Sequence, residues 1–311
     1  MKILVTGGAG FIGSHLAEKL SLSGNEVTVI DSISNFLYDS EQKLENTTRF
    51  DELGIKFYKR DLVKDEIDDL IELQDMVINE AAIPGLVKSW QHINEYMASN
   101  VIAVGRLLES CKKNGVRKVI QVSTSSVYGK NADGDESSIT EPYSPYGVSK
   151  LASENLCHAY SKNFQIPIVI LRYFSVYGPR QRPDMAYNRF IHAILNEECI
   201  EIYGDGLQSR TNTFVSDIVD ATVACTLTDL VDGETLNISG SRSINLLEVI
   251  RILEDIIGKK AQIKFLPPRN GDQRETRGNF TKASRLINFN PKIDFELGLS
   301  RQVEWQAQRS K

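Results

Sequence analysis

The chain has 311 residues, 41% of them hydrophobic, enough to bury a large core and to build roughly two domains. A formal net charge of −5 and the absence of a Lys/Arg-rich block leave no electrostatic footprint for nucleic acid; the ligand expected is small, and any anion on it must be met by individual basic side chains. No apolar run reaches transmembrane length, and the first hydrophobic segment passes straight into glycines without a cleavage-site pattern, which predicts a cytoplasmic protein without a membrane partner.

Residues Ile3 to Thr6 form a short β-rich run that ends in Gly7-Gly8-Ala9-Gly10-Phe11-Ile12-Gly13, and Leu16, Leu20 and Leu22 then recur at helical spacing. A second apolar strand, Val27 to Ile30, ends at Asp31, so the chain opens as a βαβ unit. Further strands are predicted at Lys56 to Arg60, Met76 to Asn79, Lys118 to Val122 and Pro167 to Tyr173, separated by helical or polar stretches. This alternation implies an α/β fold with a doubly wound parallel sheet. After Gly178-Pro179-Arg180 the rhythm changes to irregular stretches around Gly204-Asp205-Gly206 and Pro267-Pro268, read as a smaller, loop-rich second domain with short helices. Internal repeats and low-complexity tracts are absent. Cys111, Cys157, Cys199 and Cys225 are widely spaced and do not cluster with His15, His92, His158 or His192, which predicts reduced core thiols and no metal site.

In Gly7-x-x-Gly10-x-x-Gly13 the glycines permit a tight turn and close approach of backbone N–H groups to a pyrophosphate, while the following helix offers its positive N-terminus. The spacing is one residue longer between the first two glycines than in Gly-x-Gly-x-x-Gly, and an ordinary strand-to-helix turn would also fit. The strand–helix context and the acid at Asp31 favour a dinucleotide site. Asp31 would accept hydrogen bonds from the adenosine ribose and repel a 2′-phosphate, which predicts NAD over NADP.

Ser144 is a favoured N-cap and Pro145 a favoured first helical residue, so a helix is predicted from here to about Phe164. It carries Tyr146 and Lys150 four residues apart on one face. With eleven tyrosines in the chain, that spacing alone also fits an ordinary surface pair.

Taken together, the glycine turn, Ser123-Thr124-Ser125-Ser126-Val127-Tyr128-Gly129 and Tyr146-x-x-x-Lys150 resemble the extended short-chain dehydrogenase/reductase family along essentially the whole chain. Ala82-Ile83-Pro84-Gly85, the segment from Pro145 to Leu151, and Tyr177-Gly178-Pro179-Arg180-Gln181-Arg182-Pro183-Asp184-Met185 are similar to nucleotide-sugar 4-epimerases, most closely the UDP-glucuronate type. The resemblance implies a Rossmann domain over residues 1–174, joined by about 212–235, that holds NAD permanently, and a UDP-sugar domain over 175–311. It assigns Gly7, Gly10, Phe11, Ile12, Gly13, Asp31, Asn35, Asp61, Leu62, Ala81, Ala82 and Asn100 to the cofactor, together with Tyr146 and Lys150. It assigns Lys88, Ser125, Ser126, Ser175, Arg182, Arg210, Arg269 and Asp272 to the substrate. Among these, Arg182, Arg210 and Arg269 face the diphosphate or uridine, where guanidinium forks suit oxyanions. It also implies a homodimer formed through the helix after Asn94 and the helix holding Tyr146, each with an outward apolar stripe.

The implied chemistry centres on Thr124, Tyr146 and Lys150. A free phenol titrates near pH 10, so Lys150 and the positive nicotinamide are expected to lower it. Tyr146 then takes the proton of the sugar 4-hydroxyl as hydride passes to NAD, Thr124 positions that oxygen, and the 4-keto sugar turns over and is reduced on its other face. Ser125 and Ser126 stand where dehydratases carry an Asp-Glu pair, which disfavours 4,6-dehydration; with Ser175 they suit a C6 carboxylate. Several positions depart from the family pattern: Asn79 and Glu80 replace the usual His and Leu, Val87 and Lys88 occupy the region of a usual Arg, Thr211-Asn212-Thr213-Phe214 replaces Asp-Phe-Thr-Tyr, and Gly278-Asn279 replaces Ala-Asp. The sequence reading is therefore a UDP-hexuronate 4-epimerase, N-acetylated uronates included. UDP-glucose/galactose or UDP-N-acetylhexosamine 4-epimerase is the alternative, ahead of a dehydratase, an NADH-exchanging dehydrogenase or a non-catalytic nucleotide-binding protein.

Overall fold

The computed structural model describes residues 1–268 and 273–309. Seven parallel strands form the central sheet: β1 (Lys2–Thr6), β2 (Glu26–Asp31), β3 (Lys56–Lys59), β4 (Met76–Asn79), β5 (Lys118–Thr124), β6 (Ile168–Tyr173) and β7 (Thr235–Ile238). Their spatial order is β7-β6-β5-β4-β1-β2-β3. Alternate residues of β1 serve opposite cores. Ile3 and Val5 pack with Leu16 and Leu20 of helix α1 (Phe11–Leu22), whereas Leu4 packs with Leu107 and Leu108 of helix α2 (Ala103–Lys113). A sheet covered on both faces explains why its inner strands read as continuous apolar runs rather than as alternating ones.

Helix α3 (Pro145–Phe164) lies beside α2, and helix α4 (Val215–Thr226) lies beside α1 on the other face. The chain winds outward from β1 through β2 to β3, then restarts at β4 and winds the other way. At such a switch point the connections leave in opposite directions and open a crevice beyond the carboxyl ends of the strands. Register brings the ends level there: Thr6 pairs with Asn79, Asn79 with Gln121, and Thr124 with Tyr173.

The region after Gly178 is more helical than the loop-rich reading predicts, with helices at Ala186–Leu195, Leu246–Ile257 and Phe295–Arg309 besides α4. In Leu246–Ile257 the buried Val249, Ile250 and Leu253 recur at helical period, Asn245 accepts from the Glu248 N–H at 2.9 Å, and Gly258 ends the helix with φ 76°. The short strand Ser209–Thr211 pairs with Ser243–Asn245 and Glu275–Gly278, and the latter pairs with Asn131–Gly134. Cys111, Cys157 and Cys225 are buried free thiols, whereas Cys199 is exposed, unlike the core position predicted for it. Among the described residues no His/Cys/Asp/Glu cluster could hold a metal ion, and no helix is long and apolar enough to cross a membrane.

Candidate active site

A cleft of about 660 Å³ opens over the carboxyl ends of β1, β2, β4, β5 and β6. At one end it is lined by Gly7, Gly10, Phe11, Ile12, Gly13, Asp31, Asp61, Leu62, Ala81 and Ala82. Gly7 has φ 67°, and a Cβ on it would lie 2.7 Å from the Ala81 nitrogen; a Cβ on Gly13 would lie 2.4 Å from the Gly7 carbonyl oxygen. The turn is thus packed as tightly as backbone allows, which leaves its N–H groups and the start of α1 facing the cleft. Asp31 accepts from the Ala9 N–H at 3.2 Å and the Ile33 N–H at 2.8 Å, and the Lys43 ammonium stands 3.6 Å away. The lysine partly offsets the charge read from the sequence at this position.

Ser144 caps α3 by accepting from the Gly147 N–H at 3.1 Å, with Pro145 in the first turn. One turn apart on the same face, Tyr146 and Lys150 both reach the cleft. The Lys150 ammonium donates to the Val122 carbonyl at 2.6 Å. Burial lowers its pKa to about 8, opposed by the charges of Glu80 and Glu154. Burial pushes the Tyr146 phenol up; a hydrogen bond with Thr124 and the Arg182 charge pull it down, and Glu80 pushes it up further. The net direction is upward, and the groups that pull the phenol down are Thr124 and Arg182. Thr124 also caps the turn Ser125–Tyr128, accepting from the Ser126 N–H at 3.2 Å.

Beneath this group lies a buried polar frame. Arg172 on β6 grips Glu154 on α3 with bonds of 3.0 and 2.7 Å and donates to Tyr128 Oη at 2.8 Å. Tyr128 in turn donates to Asn237 on β7 at 2.7 Å, and Ser123 donates to Glu154 at 2.5 Å. The frame locks β5, β6, β7 and α3 together directly under Thr124.

The far end of the cleft is lined by Ser125, Ser126, Ser175, Arg182 and Arg210. Arg182 is paired with Asp184 through two bonds of 2.9 Å, and its charge bears on Tyr146 and Tyr38. Arg210 donates to the carbonyls of Ser209 at 2.8 Å and Gln273 at 2.5 Å.

Three residues assigned from the sequence lie off the cleft. Asn35 is exposed on the loop after β2. Lys88 is also exposed, its ammonium donating to the Phe36 carbonyl at 2.9 Å. Asn100 is fully buried in a π-helical turn, Ala98–Ile102, where its amide binds the Ile83 N–H at 2.8 Å, the Ile83 carbonyl at 3.0 Å and Ser149 Oγ at 3.0 Å. It braces the wall of the cleft from behind. Arg269 and Asp272 lie outside the described residues. Conversely, the cleft is also lined by Lys43, Tyr38, Tyr173 and Glu80, of which only Glu80 carried a sequence signal, as an acid immediately after a buried apolar strand.

Residues 3–239 match the model of the NAD dependent epimerase/dehydratase family. The chain is 42% identical to the uncharacterized UDP-glucose epimerase YtcB of Bacillus subtilis, over 98% of both chains. It is 36% identical to the UDP-glucuronate 4-epimerase of Thermodesulfobacterium geofontis, over 98% of this chain and 96% of that protein. The solved structure of the Bacillus cereus UDP-glucuronic acid 4-epimerase in complex with UDP-glucuronic acid and NAD is 40% identical and superposes with a TM-score of 0.96, over 99% of this chain and all of that one. With the glycine turn, Thr124, Tyr146 and Lys150 gathered on one cleft, the chain belongs to the NAD dependent epimerase/dehydratase family.

Proposed function

We propose that this protein is an NAD-dependent 4-epimerase acting on a UDP-hexuronate. The observation that carries the reading is the convergence of Tyr146, Lys150 and Thr124 with three serine hydroxyls and the Arg182 cation on one cleft. The residues fit NAD: the glycine turn leaves no room for a Cβ, Asp31 stands at the end of β2, and Asp61 and Leu62 stand past β3. When bound there, NAD supplies a hydride acceptor and donor. Tyr146 takes the proton of the sugar 4-hydroxyl and later returns it to the same oxygen, while Thr124 fixes that oxygen within reach. The Thr124 hydroxyl and the Arg182 guanidinium favour the phenolate, against the cost of burying it. Ser125, Ser126 and Ser175 donate hydrogen bonds to a C6 carboxylate, for which Arg182 supplies opposite charge. Arg210 holds the nucleotide diphosphate, with Arg269 and Asp272 assigned beside it from the sequence. Ser125 and Ser126 supply no acid to expel water from C6.

The same reading divides the chain into an NAD-binding part, residues 1–174, and a UDP-sugar part, 175–311, with about 212–235 returning to the first. The packing of α4 on α1 and the place of β7 in the large sheet support that return. A homodimer is proposed through the helices on either side of Asn100 and α3, where Ile93, Ile102, Val148 and Phe164 are exposed apolar side chains. A cytoplasmic location accords with four free thiols.

The test is NMR of the products formed from a panel of UDP-sugars. Interconversion of UDP-glucuronate and UDP-galacturonate, or of an N-acetylated uronate pair, is expected. Turnover of neutral UDP-hexoses with none of any uronate overturns the uronate assignment in favour of a UDP-glucose-type epimerase, the activity named for the Bacillus subtilis relative. Denatured protein is expected to release tightly held NAD.

A further inference from the structure

Residues 178–182 run between the two ends of the cleft, and consecutive side chains there take different partners. Arg180 turns to α1, the helix that follows the glycine turn. Its guanidinium donates to Ser14 Oγ at 3.2 Å and to Glu18 at 2.6 Å, an ion pair whose side chains are only 17% and 11% exposed. His15, next to Ser14, donates from Nε2 to the Pro179 carbonyl at 3.0 Å. Gln42, on the short helix Glu41–Asn46, donates to the carbonyls of Arg180 at 3.3 Å and Gln181 at 3.2 Å. The same short helix sets Lys43 against Asp31, and Asn46 donates to the Ala9 carbonyl at 3.0 Å. Gln181 turns the other way. Buried, it accepts from the Asn188 N–H at 3.0 Å and the Gln302 amide at 2.8 Å, and Gln302 also accepts from the Gly178 N–H at 2.8 Å. Arg182 then enters the cleft, which Arg180 itself does not line.

Arg180 makes these contacts from φ 67°, a left-handed conformation that favours glycine. A bend wanted only for its shape is best served by glycine. An arginine held there is strained, and its bonds to Ser14 and Glu18 offset the strain. We propose that Arg180 is a positioning residue for the sugar end: by gripping α1 through Glu18 and Ser14 it sets where Arg182 stands in the cleft, and so ties the hold on the UDP-sugar to the helix that starts at the cofactor turn. The inference rests on the epimerase reading for the ligand of Arg182. The two bonds to Asp184 orient the Arg182 guanidinium, but Asp184 lies two residues further along the same segment and moves with it. The fixed reference is α1, whose Leu16 and Leu20 are packed in the core with Ile3 and Val5 of the large sheet.

The experiment measures, by calorimetry on the NAD-loaded protein, the binding of UDP-glucuronate, or of UDP-glucose where the parent prefers it, beside a melting curve. The variants are Arg180→Gly, Glu18→Gln, Arg182→Ala and the double variant Arg180→Gly/Arg182→Ala. Arg180→Gly keeps the left-handed bend and removes the grip on α1. The fold is expected to persist while the dissociation constant rises about tenfold, the size of one lost charge-assisted hydrogen bond. Glu18→Gln leaves Arg180 without its counter-charge and weakens binding in the same direction by less; it decides alone if Arg180→Gly melts too low for binding to be read. In the Arg182→Ala background Arg180→Gly adds nothing, because its effect passes through Arg182, whereas a merely structural role weakens binding by the same factor in both backgrounds. Unchanged binding in Arg180→Gly and Glu18→Gln, or an undiminished effect in the Arg182→Ala background, overturns the proposal. The two kinds of failure are separate: a parent that binds neither UDP-sugar overturns the epimerase reading and the inference resting on it, whereas a parent that binds with variants that bind equally well overturns the role of Arg180 alone.

Discussion

The two ends of the cleft are built by different means. The end at the glycine turn is built mainly of backbone from the first 31 residues, namely three glycines, the start of α1 and the ends of β1 and β2, with Asp61, Leu62, Ala81 and Ala82 beside them. The opposite end is made of side chains, with Ser125 and Ser126 after β5, Ser175 after β6, and Arg182 and Arg210 from segments further along. Backbone geometry is dictated locally by which residues lack a Cβ. Side-chain convergence depends on which distant segments the core brings together. An end built of backbone therefore admits little variation, whereas an end built of side chains can be retuned one residue at a time. Tyr146, Lys150 and Thr124 stand at the junction, carried by one helix and one strand end.

Substitutions can break this contrast, and the largest effect belongs to the junction. Tyr146→Phe removes the proton acceptor and should cost a factor of about 10²–10⁴ in turnover with the fold intact, as measured by product formation beside a melting curve. Unchanged turnover would remove Tyr146 from the chemistry. Next comes the frame beneath: Glu154→Gln leaves Arg172, itself buried, without its counter-charge, and should destabilise the protein by about 3–5 kcal/mol in denaturant unfolding. At the backbone end, Gly13→Ala forces a Cβ against the Gly7 carbonyl, with an expected cost of about 1–3 kcal/mol and a fall in the NAD that accompanies the purified protein. An alanine tolerated there with full cofactor content would show that the turn is not built to the limit claimed. The smallest effect is expected at the sugar end, where Ser175→Ala removes one hydrogen bond and should weaken binding of a uronate by about 1 kcal/mol, read as a rise in KM that neutral UDP-hexoses do not show.

The large sheet was legible because its strands are buried on both faces and announce themselves as short, mostly apolar runs at Ile3 to Thr6 and Val27 to Ile30. Helix α3 was legible from its first two residues, the Ser144 cap and Pro145. The helices beyond Gly178 were not, because the irregular segments around Gly204 and Pro267 obscure the period-3.6 pattern between them. At the site, Asn100 illustrates the remaining difficulty: its chemistry suits a ligand, yet packing turns it to the Ile83 backbone.

By itself the sequence determined the glycine turn, the acid at the end of β2, and the pairing of Tyr146 with Lys150, since each follows from spacing within one local element. Only the tertiary structure decided that Lys43 stands against Asp31, that the Arg182 charge bears on the Tyr146 phenol, and that the charges of Glu80 and Lys150 bear on each other. Those relations join residues 12 to 70 positions apart, and their electrostatics arise from burial, which exists only once both cores have closed on the sheet.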